Sequence, residues 1–194
     1  MRKVRYIAGI LLIFAGLGIT GYYCSGKALS WYHQYRLKQE FEKNRQENEV
    51  EEVEMEEPIP EGPPKVVITQ WEPMRLYIPS IKLDYIVLEG DVMKEKDLDK
   101  GPVHYGMSDL PSTEGGNVAI AGHRAGKWNF FLRLDELEKG DEIYLETQKY
   151  RFTYLVDDVF LVEPNAWWVI DSTDEPAITL TTCHPKNRKP THRL

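Results

Sequence analysis

The first hydrophobic pattern in the chain is an uninterrupted apolar segment near the N-terminus. Residues 6–26 contain no charged side chain, and about 20 apolar residues are enough to cross the hydrocarbon core of a bilayer as a helix. Basic side chains precede the segment and aromatic side chains follow it, which predicts a cytoplasmic N-terminus and a membrane interface. The sequence therefore predicts a cytoplasmic tail over residues 1–5 and a transmembrane anchor over residues 6–26.

Two other uses of an apolar N-terminal segment predict different residues at its end. A cleaved signal peptide ends in small residues at its cleavage site, and this segment has no A-x-A pattern. A lipoprotein signal would have a small residue directly before Cys24, where this chain has Tyr23. We therefore interpret the segment as an uncleaved single-pass anchor, with the bulk of the chain outside the cytoplasm.

A polar stretch follows the anchor. Residues 27–50 are typical of a polar helix or a semi-ordered stem. The acidic run over residues 47–57 repels itself and stays solvated, and the prolines within residues 58–64 exclude helix. We predict that residues 27–64 form an extracytoplasmic spacer without chemistry of its own, which holds a domain away from the membrane.

After Lys65 the pattern changes to short apolar runs separated by turn residues. Many short strands with few helices favour a mainly β domain over residues 65–194 that closes, or nearly closes, into a barrel. A parallel α/β sheet is not favoured, because strands and helices do not alternate. The predicted strands cover residues 74–79, 83–88, 117–122, 141–146, 150–163 and 177–182, the predicted short helices cover 95–100, 130–137 and 166–170, and residues 101–105 are predicted to form a turn.

Charge and cysteine content exclude several classes of protein. The net charge of −7 gives no basis for a nucleic-acid partner. The only two cysteines are Cys24, at the end of the apolar segment, and Cys183, near the C-terminus, so the chain is not a disulfide scaffold. Histidine and cysteine show no paired ligand spacing, so we expect no metal site.

Cys183 is the first candidate for chemistry. It follows a run rich in β-branched residues, 177–182, which predicts a strand, and it precedes a basic stretch, 184–190, which predicts an exposed loop. A positive field favours the thiolate, which is the nucleophilic form of cysteine. The alternative interpretation is a small, buried, apolar residue.

A histidine and an arginine complete a candidate set with Cys183. His123 ends an apolar strand beside Gly122 and can project into a cleft, whereas the other histidines are more typical of structural or solvated positions. Arg193 lies ten residues after Cys183, so antiparallel pairing would return it to the side of the cysteine. Its guanidinium could then donate to an oxyanion; the alternative is a surface arginine.

Together these segments resemble those of the sortase family. Residues 179–183 read T-L-T-T-C, which is similar to the T-L-x-T-C signature of sortases, and residues 120–124 read I-A-G-H-R, which is similar to the segment that carries the sortase catalytic histidine. The resemblance extends over about residues 74–194. The short spacing from cysteine to arginine is most similar to class D, with class E and class A as alternatives.

The resemblance implies a fold, a reaction and roles for residues. The fold is an eight-stranded β-barrel with short helices, preceded here by the transmembrane helix and linker. Cys183 would attack the threonine carbonyl of an L-P-x-T-G or L-P-x-T-A sorting signal, His123 would act as acid and base, and Arg193 would hold the oxyanion or the substrate backbone. The remaining implied roles are in substrate binding, by Thr182, Trp167 and Trp168, with ordinary packing as an equal alternative for the two tryptophans.

The same resemblance implies partners and a location. The substrates would be surface proteins with a sorting signal, and the acceptor would be an amine of peptidoglycan, of a lipid-linked precursor or of another protein. No cofactor is needed, because the thioester keeps the energy of the peptide bond. The enzyme would be a single-pass protein of the cell membrane with an extracellular catalytic domain.

Several alternatives have distinct sequence features. In sortases a complete strand follows the arginine, so we expect this chain, which stops at Leu194, to lack most of that strand. A catalytically inactive, membrane-tethered, sortase-like assembly or adhesion module is therefore the main alternative. Papain-like wall hydrolases have cysteine before histidine, the reverse of the order here, and an L,D-transpeptidase would have glycine rather than Thr182 before the cysteine.

Overall fold

The computed structural model describes residues 2–54, 65–125, 129–185 and 190–194 of the chain. Part of the predicted spacer, residues 55–64, and part of the predicted basic loop, residues 186–189, lie outside the described residues. The helices are α1 (Arg2–Glu54) and α2 (Glu95–Leu98), with 3-10 helices at Leu134–Glu136 and Trp167–Ile170. The strands are β1 (Met74–Ile78), β2 (Leu83–Val87), β3 (Val103–His104), β4 (Asn117–Ala121), β5 (Glu142–Glu146), β6 (Arg151–Leu155), β7 (Ala177–Thr181), β8 (Cys183–His184) and β9 (His192–Arg193).

Helix α1 joins the apolar segment to the polar stretch without a break. Among the described residues it is the one helix with the length and apolar composition of a membrane span. Many of its apolar side chains are exposed, among them Leu12 and Ile19 at more than 70%. An exposed apolar surface of this kind is compatible with a lipid environment.

The second half of α1 packs against the folded domain. Phe41 is 2% exposed and Gln34 is 3% exposed. Lys38 pairs with Asp84 of β2 at 2.7 Å, and Arg45 pairs with Glu146 of β5 at 3.3 Å. Residues 27–50, which were predicted to form a polar helix or a semi-ordered stem, are helical here, and this part of the helix buries one face against strands that lie far along the chain.

A four-stranded antiparallel sheet forms one side of the domain, in the order β2-β1-β5-β6. Strand β1 shows why these residues form a strand with one buried face: Met74, Leu76 and Ile78 are at most 1% exposed, while the residues between them are half-buried. Alternate residues of a strand point to opposite faces of the sheet. The alternation therefore directs these three side chains into the main hydrophobic core.

A three-stranded sheet, in the order β3-β4-β7, positions the candidate site. Strands β4 and β7 are parallel, with Asn117 opposite Ala177 and Ala121 opposite Thr181. Every residue of β4 is buried, as expected for a parallel strand covered on both faces. Strand β3 lies where a turn was predicted at 101–105, because two residues are too few to produce a visible hydrophobic period.

The strands do not close into the predicted barrel. The described residues contain nine strands in three sheets, and β8 and β9 form the third sheet. Single isolated bridges, between Leu88 and Val103 and between Val162 and Arg193, stand where continuous ladders would be needed for closure. The mainly β character with short helices is confirmed, but the predicted strand over 150–163 is too long, since β6 ends at Leu155.

Candidate active site

The parallel pairing of β4 and β7 brings two distant segments to the same end of the sheet, beyond the carboxyl ends of both strands. Beyond the last paired residues, the Gly122 amide donates to the Thr181 carbonyl at 3.1 Å. The Thr182 hydroxyl donates to the Gly122 carbonyl at 2.7 Å. His123 and Cys183 are the next residue of each segment, so the two candidates follow neighbouring strands at the same edge.

Cys183 pairs directly with Arg193 in the antiparallel ladder of β8 and β9. The predicted return of the arginine to the cysteine is confirmed. On one side of this pair, Thr182 and Leu194 exchange two backbone hydrogen bonds of 2.9 Å. Side chains of directly opposed residues share a face of the ladder, so the thiol and the guanidinium project to the same side. Cys183 is half-buried and unbridged.

The backbone of Arg193 is also hydrogen-bonded on the side of β9 that faces away from β8. Its amide donates to the Val162 carbonyl and its carbonyl accepts from the Val162 amide, both at 2.9 Å. Its Nε donates to the Pro164 carbonyl at 3.0 Å. Strand β9 thus lies between β8 and the segment that leads to the 3-10 helix Trp167–Ile170, which limits the positions its side chain can take.

His123 is fixed from the backbone and approached by a carboxylate. Its carbonyl accepts from the Phe131 amide at 2.9 Å. The preceding Gly122 allows the Phe131 ring to approach, since a Cβ at this position would lie 2.8 Å from ring carbons. The Nε2 atom of His123 lies 3.4 Å from Oδ1 of Asp99. Sequence reasoning missed Asp99, which lies in no recognisable motif.

Arg124 is a second residue that sequence reasoning missed. Its side chain is 1% exposed and its Nη2 atom lies 2.7 Å from Oδ2 of Asp135. Its Nη1 atom donates to Nδ1 of His184 at 2.8 Å and reaches the Cys183 carbonyl at 3.5 Å. A guanidinium presents several donors in a rigid fork, and here the fork joins the segment after His123 to the strand that carries Cys183.

The three residues predicted to bind substrate occupy different environments. Thr182 is 2% exposed and its hydroxyl bonds the Gly122 carbonyl, so in this structure it joins two segments. Trp167 is 44% exposed and packs edge-on against Tyr105. Trp168 is 61% exposed and stacks on Phe160, with a ring centroid separation of 6.2 Å. The two tryptophans thus present aromatic surface to solvent.

His104 is structural, as predicted. Its Nε2–H donates to the Asp109 carbonyl at 2.9 Å, and its ring stacks on Trp71. Burial lowers the pKa of His104 below the usual histidine value, although the Asp109 carbonyl opposes this shift. Among the described residues, histidine, cysteine and carboxylate side chains form no group of three that would hold a metal ion.

Comparison with known proteins identifies the family. Residues 76–194, more than half of the chain, match the Sortase domain family. Sortase SrtE1 of Streptomyces coelicolor is 34% identical over 125 residues, covering 57% of this chain and 35% of that protein. Sortase D of Bacillus subtilis is 35% identical over 111 residues, covering 57% and 53%. The chain thus spans about a third to a half of the length of these relatives.

Solved structures support the same fold. The complex of Streptococcus agalactiae sortase C1 and MTSET superposes with a TM-score of 0.57 at 27% identity, covering 62% of each chain. The Clostridium perfringens Sortase D5 transpeptidase superposes with a TM-score of 0.60 at 22% identity, covering 83% of this chain and 93% of that one. The sortase-like fold predicted from the sequence is confirmed, and the chain belongs to the sortase family of cysteine transpeptidases.

Proposed function

We propose that this protein cleaves a sorting signal of the L-P-x-T-G or L-P-x-T-A type after threonine and transfers the product to an amine. The observation that carries the proposal is the direct pairing of Cys183 with Arg193 at the sheet edge where His123 also lies. Family membership supports the reaction type. Relatives named Sortase D and SrtE1 support class D and class E alike.

The first half of the reaction forms a thioester. The Cys183 thiolate attacks the threonine carbonyl carbon, and the electron pair of that carbonyl moves to its oxygen. When the oxyanion collapses, the bond from carbon to nitrogen breaks and the departing amine takes a proton from His123. The acyl group remains on sulfur, so no cofactor is required.

The second half reverses these roles. An incoming amine attacks the thioester carbonyl and gives its proton to His123, and the sulfur leaves as the thiolate. The product is a new amide bond between the threonine and the acceptor. Peptidoglycan, a lipid-linked precursor and another surface protein all supply amines of the required chemistry.

Arg193 would stabilise the negative charge of both tetrahedral intermediates. Its side chain shares a ladder face with the thiol, and its backbone is held on both edges by Thr182–Leu194 pairing and by Val162. Its Nε holds the Pro164 carbonyl, so the terminal amino groups are the donors that would reach the oxyanion. Preorganised donors of this kind are often the largest contribution to catalysis.

Trp167 and Trp168 would contact the sorting signal. Exposed aromatic side chains provide binding surface at low entropic cost, and these two lie three and four residues after Pro164, whose carbonyl accepts from Arg193. Thr182 would contribute indirectly, since its hydroxyl fixes Gly122 beside His123. We expect Trp168→Ala to raise KM for a signal peptide more than it lowers kcat.

The protein would act at the cell membrane. The apolar part of α1 would cross the bilayer once, with the basic residues before it in the cytoplasm. The catalytic domain would then be extracellular, where surface proteins and cell-wall amines are available. The exposed apolar side chains of α1 support this arrangement.

The test is to trap the thioester in the full chain. Incubation with a peptide that contains L-P-x-T-G should add the acyl fragment to Cys183, as read by mass spectrometry, and Cys183→Ala should abolish both the adduct and cleavage. Cys24→Ala is the matched control, because Cys24 is the other free cysteine and lies in α1. Continued cleavage by Cys183→Ala would exclude this mechanism, and absence of any adduct would favour the inactive assembly module.

A further inference from the structure

We propose that Asp99 is a positioning residue for His123: its carboxylate binds the Nε2–H of the imidazole and directs Nδ1 to the reaction. This inference rests on the proposed function, since it assigns His123 the acid and base roles. It adds a group from the turn after α2, a part of the chain outside the segments that carry the cysteine, histidine and arginine.

The contact itself is the first observation. Oδ1 of Asp99 lies 3.4 Å from Nε2 of His123. Both atoms are buried from solvent, and neither has a hydrogen-bond partner among the described residues. Buried polar groups are unfavourable when they are unpaired, so these two atoms gain by pairing with each other. A small rotation of the ring or the carboxylate would form a hydrogen bond, and such bonds are often long before substrate binds.

A second carboxylate, Asp135, contacts the residue that follows His123. Asp135 holds Arg124, the residue after His123, at 2.7 Å. The Arg124 guanidinium also donates to His184. A guanidinium carries only donors, so Arg124 cannot accept a hydrogen bond from the imidazole of His123. Asp99, whose Oδ1 lies 3.4 Å from Nε2, is the carboxylate that we propose accepts the Nε2–H of His123.

Asp99 is held by α2, and the residues directly after it are held by α1. The Asp99 amide donates to the Glu95 carbonyl at 2.9 Å. The carbonyl of the next residue, Lys100, accepts from Nε2 of Gln34 at 3.0 Å. Gly101 then lets the Gln34 amide approach, because a Cβ there would lie 2.3 Å from Gln34 Nε2. The turn is thus tied to a long helix, as a positioning residue requires.

The chemical consequence follows from the two ring nitrogens. When one nitrogen donates to a carboxylate, the other is the nitrogen that exchanges a proton with substrate, and the ring orientation is set. The carboxylate also stabilises the imidazolium that must be present when the amine departs. Asp99 need not change its own protonation state to do this.

The kinetic test compares Asp99→Asn with wild type in the full chain, using acyl-enzyme formation on a signal peptide. We expect kcat to fall about tenfold or more, within the range that general acid–base catalysis contributes. KM should be unchanged, because Asp99 does not touch substrate. Asp99→Glu keeps the carboxylate and should recover part of the loss. Glu95→Gln is the control, since Glu95 is exposed on the same short helix.

A second measurement detects the contact between Asp99 and His123 and does not depend on catalysis. In protein labelled with 15N-histidine, the His123 Nε2–H should give a downfield, slowly exchanging proton resonance, assigned by its absence in His123→Gln. Asp99→Asn should shift or remove this resonance while the far-UV circular dichroism stays that of wild type. Wild-type kcat together with an unchanged resonance in Asp99→Asn would overturn the inference.

The two proposals fail in different ways. If wild type forms no thioester on Cys183, the proposed function fails, while the resonance still shows whether Asp99 binds His123. If wild type forms the thioester and Asp99→Asn matches it in both measurements, the sortase mechanism stands and the role of Asp99 does not.

Discussion

Gln34 of α1 satisfies both backbone polar groups of Ile86 on strand β2. Its side-chain oxygen accepts from the Ile86 amide at 2.8 Å, and its amide donates to the Ile86 carbonyl at 3.2 Å. Strand β2 is at the edge of the four-stranded sheet, and an edge strand exposes unpaired backbone groups. A single glutamine therefore acts as a substitute for the next strand, and α1 covers the edge.

Removing the Gln34 amide should destabilise the domain. Gln34→Ala leaves the buried amide and carbonyl of Ile86 unpaired, and we expect a loss of about 1–3 kcal/mol in the free energy of unfolding. Denaturant unfolding of the full chain in detergent, followed by tryptophan fluorescence, measures this change. Gln39→Ala, at an exposed position of the same helix, is the control. Equal stabilities of the two variants would contradict the role of Gln34.

Gly101 should be coupled to Gln34. A Cβ at residue 101 would lie 2.3 Å from Gln34 Nε2, so Gly101→Ala displaces the glutamine and should cost about 1–3 kcal/mol. In the Gln34→Ala background the same change should cost less, because the atom it meets is gone. Gly106→Ala, where a Cβ meets nothing within 4 Å, is the control. Additive effects in the double variant would show that the two residues are independent.

Arg124→Lys should lower stability and activity together. A lysine cannot bind Asp135 and His184 at once with the same geometry, and breaking a buried charge pair costs about 3 kcal/mol or more. We expect a lower midpoint of unfolding and slower formation of the Cys183 thioester. Arg36→Lys, at an exposed position of α1, should match wild type. A variant as stable and as active as wild type would exclude the bridging role of Arg124.

The stability of the domain should depend on pH through His104. Burial lowers the pKa of this histidine in the folded state, so below the usual value near 6.5 the unfolded chain binds a proton that the folded state does not. Stability should fall as the pH drops from about 6.5 towards the lowered pKa, by at most about 1.4 kcal/mol per pH unit.

His104→Gln tests this dependence. The glutamine amide can still donate to the Asp109 carbonyl, but it does not titrate, so the slope of unfolding free energy against pH should decrease between pH 7 and 5. Gln39→Ala, which removes no titratable group at an exposed position of α1, should keep the wild-type slope. An unchanged slope in His104→Gln would assign the acid sensitivity to other groups.

The sequence predicted the elements that have a clear hydrophobic period. Strand β1, with its alternating Met74, Leu76 and Ile78, ends within one residue of its predicted bound. The spacing of ten residues predicted that antiparallel pairing would return Arg193 to Cys183, and the ladder of β8 and β9 shows this pairing. Local periodicity and short loops can be identified from the sequence, and the formation of strand β1 and the pairing of Cys183 with Arg193 depend mainly on them.

The missed features depend on contacts between distant residues. The polar face of α1 gave no indication that Gln34 would reach Ile86, because the partner is 52 residues away. Arg124 looks like a surface residue until the chain folds Asp135 over it. Asp99 lies 3.4 Å from His123, and it belongs to the turn after α2, which Gln34 of α1 contacts through the Lys100 carbonyl. Barrel closure was likewise predicted from strand number, whereas the ladders between sheets decide it.

The continuity of α1 has a consequence for where this protein can act. About 12 Å of helix separates Gly26 from Gln34 at 1.5 Å per residue, and no hinge interrupts it. If the apolar half lies in the bilayer, the folded domain that packs on the other half could not rotate freely or move away from the membrane surface. Under the proposed function, a substrate would have to present its sorting signal at a fixed height just above the bilayer surface.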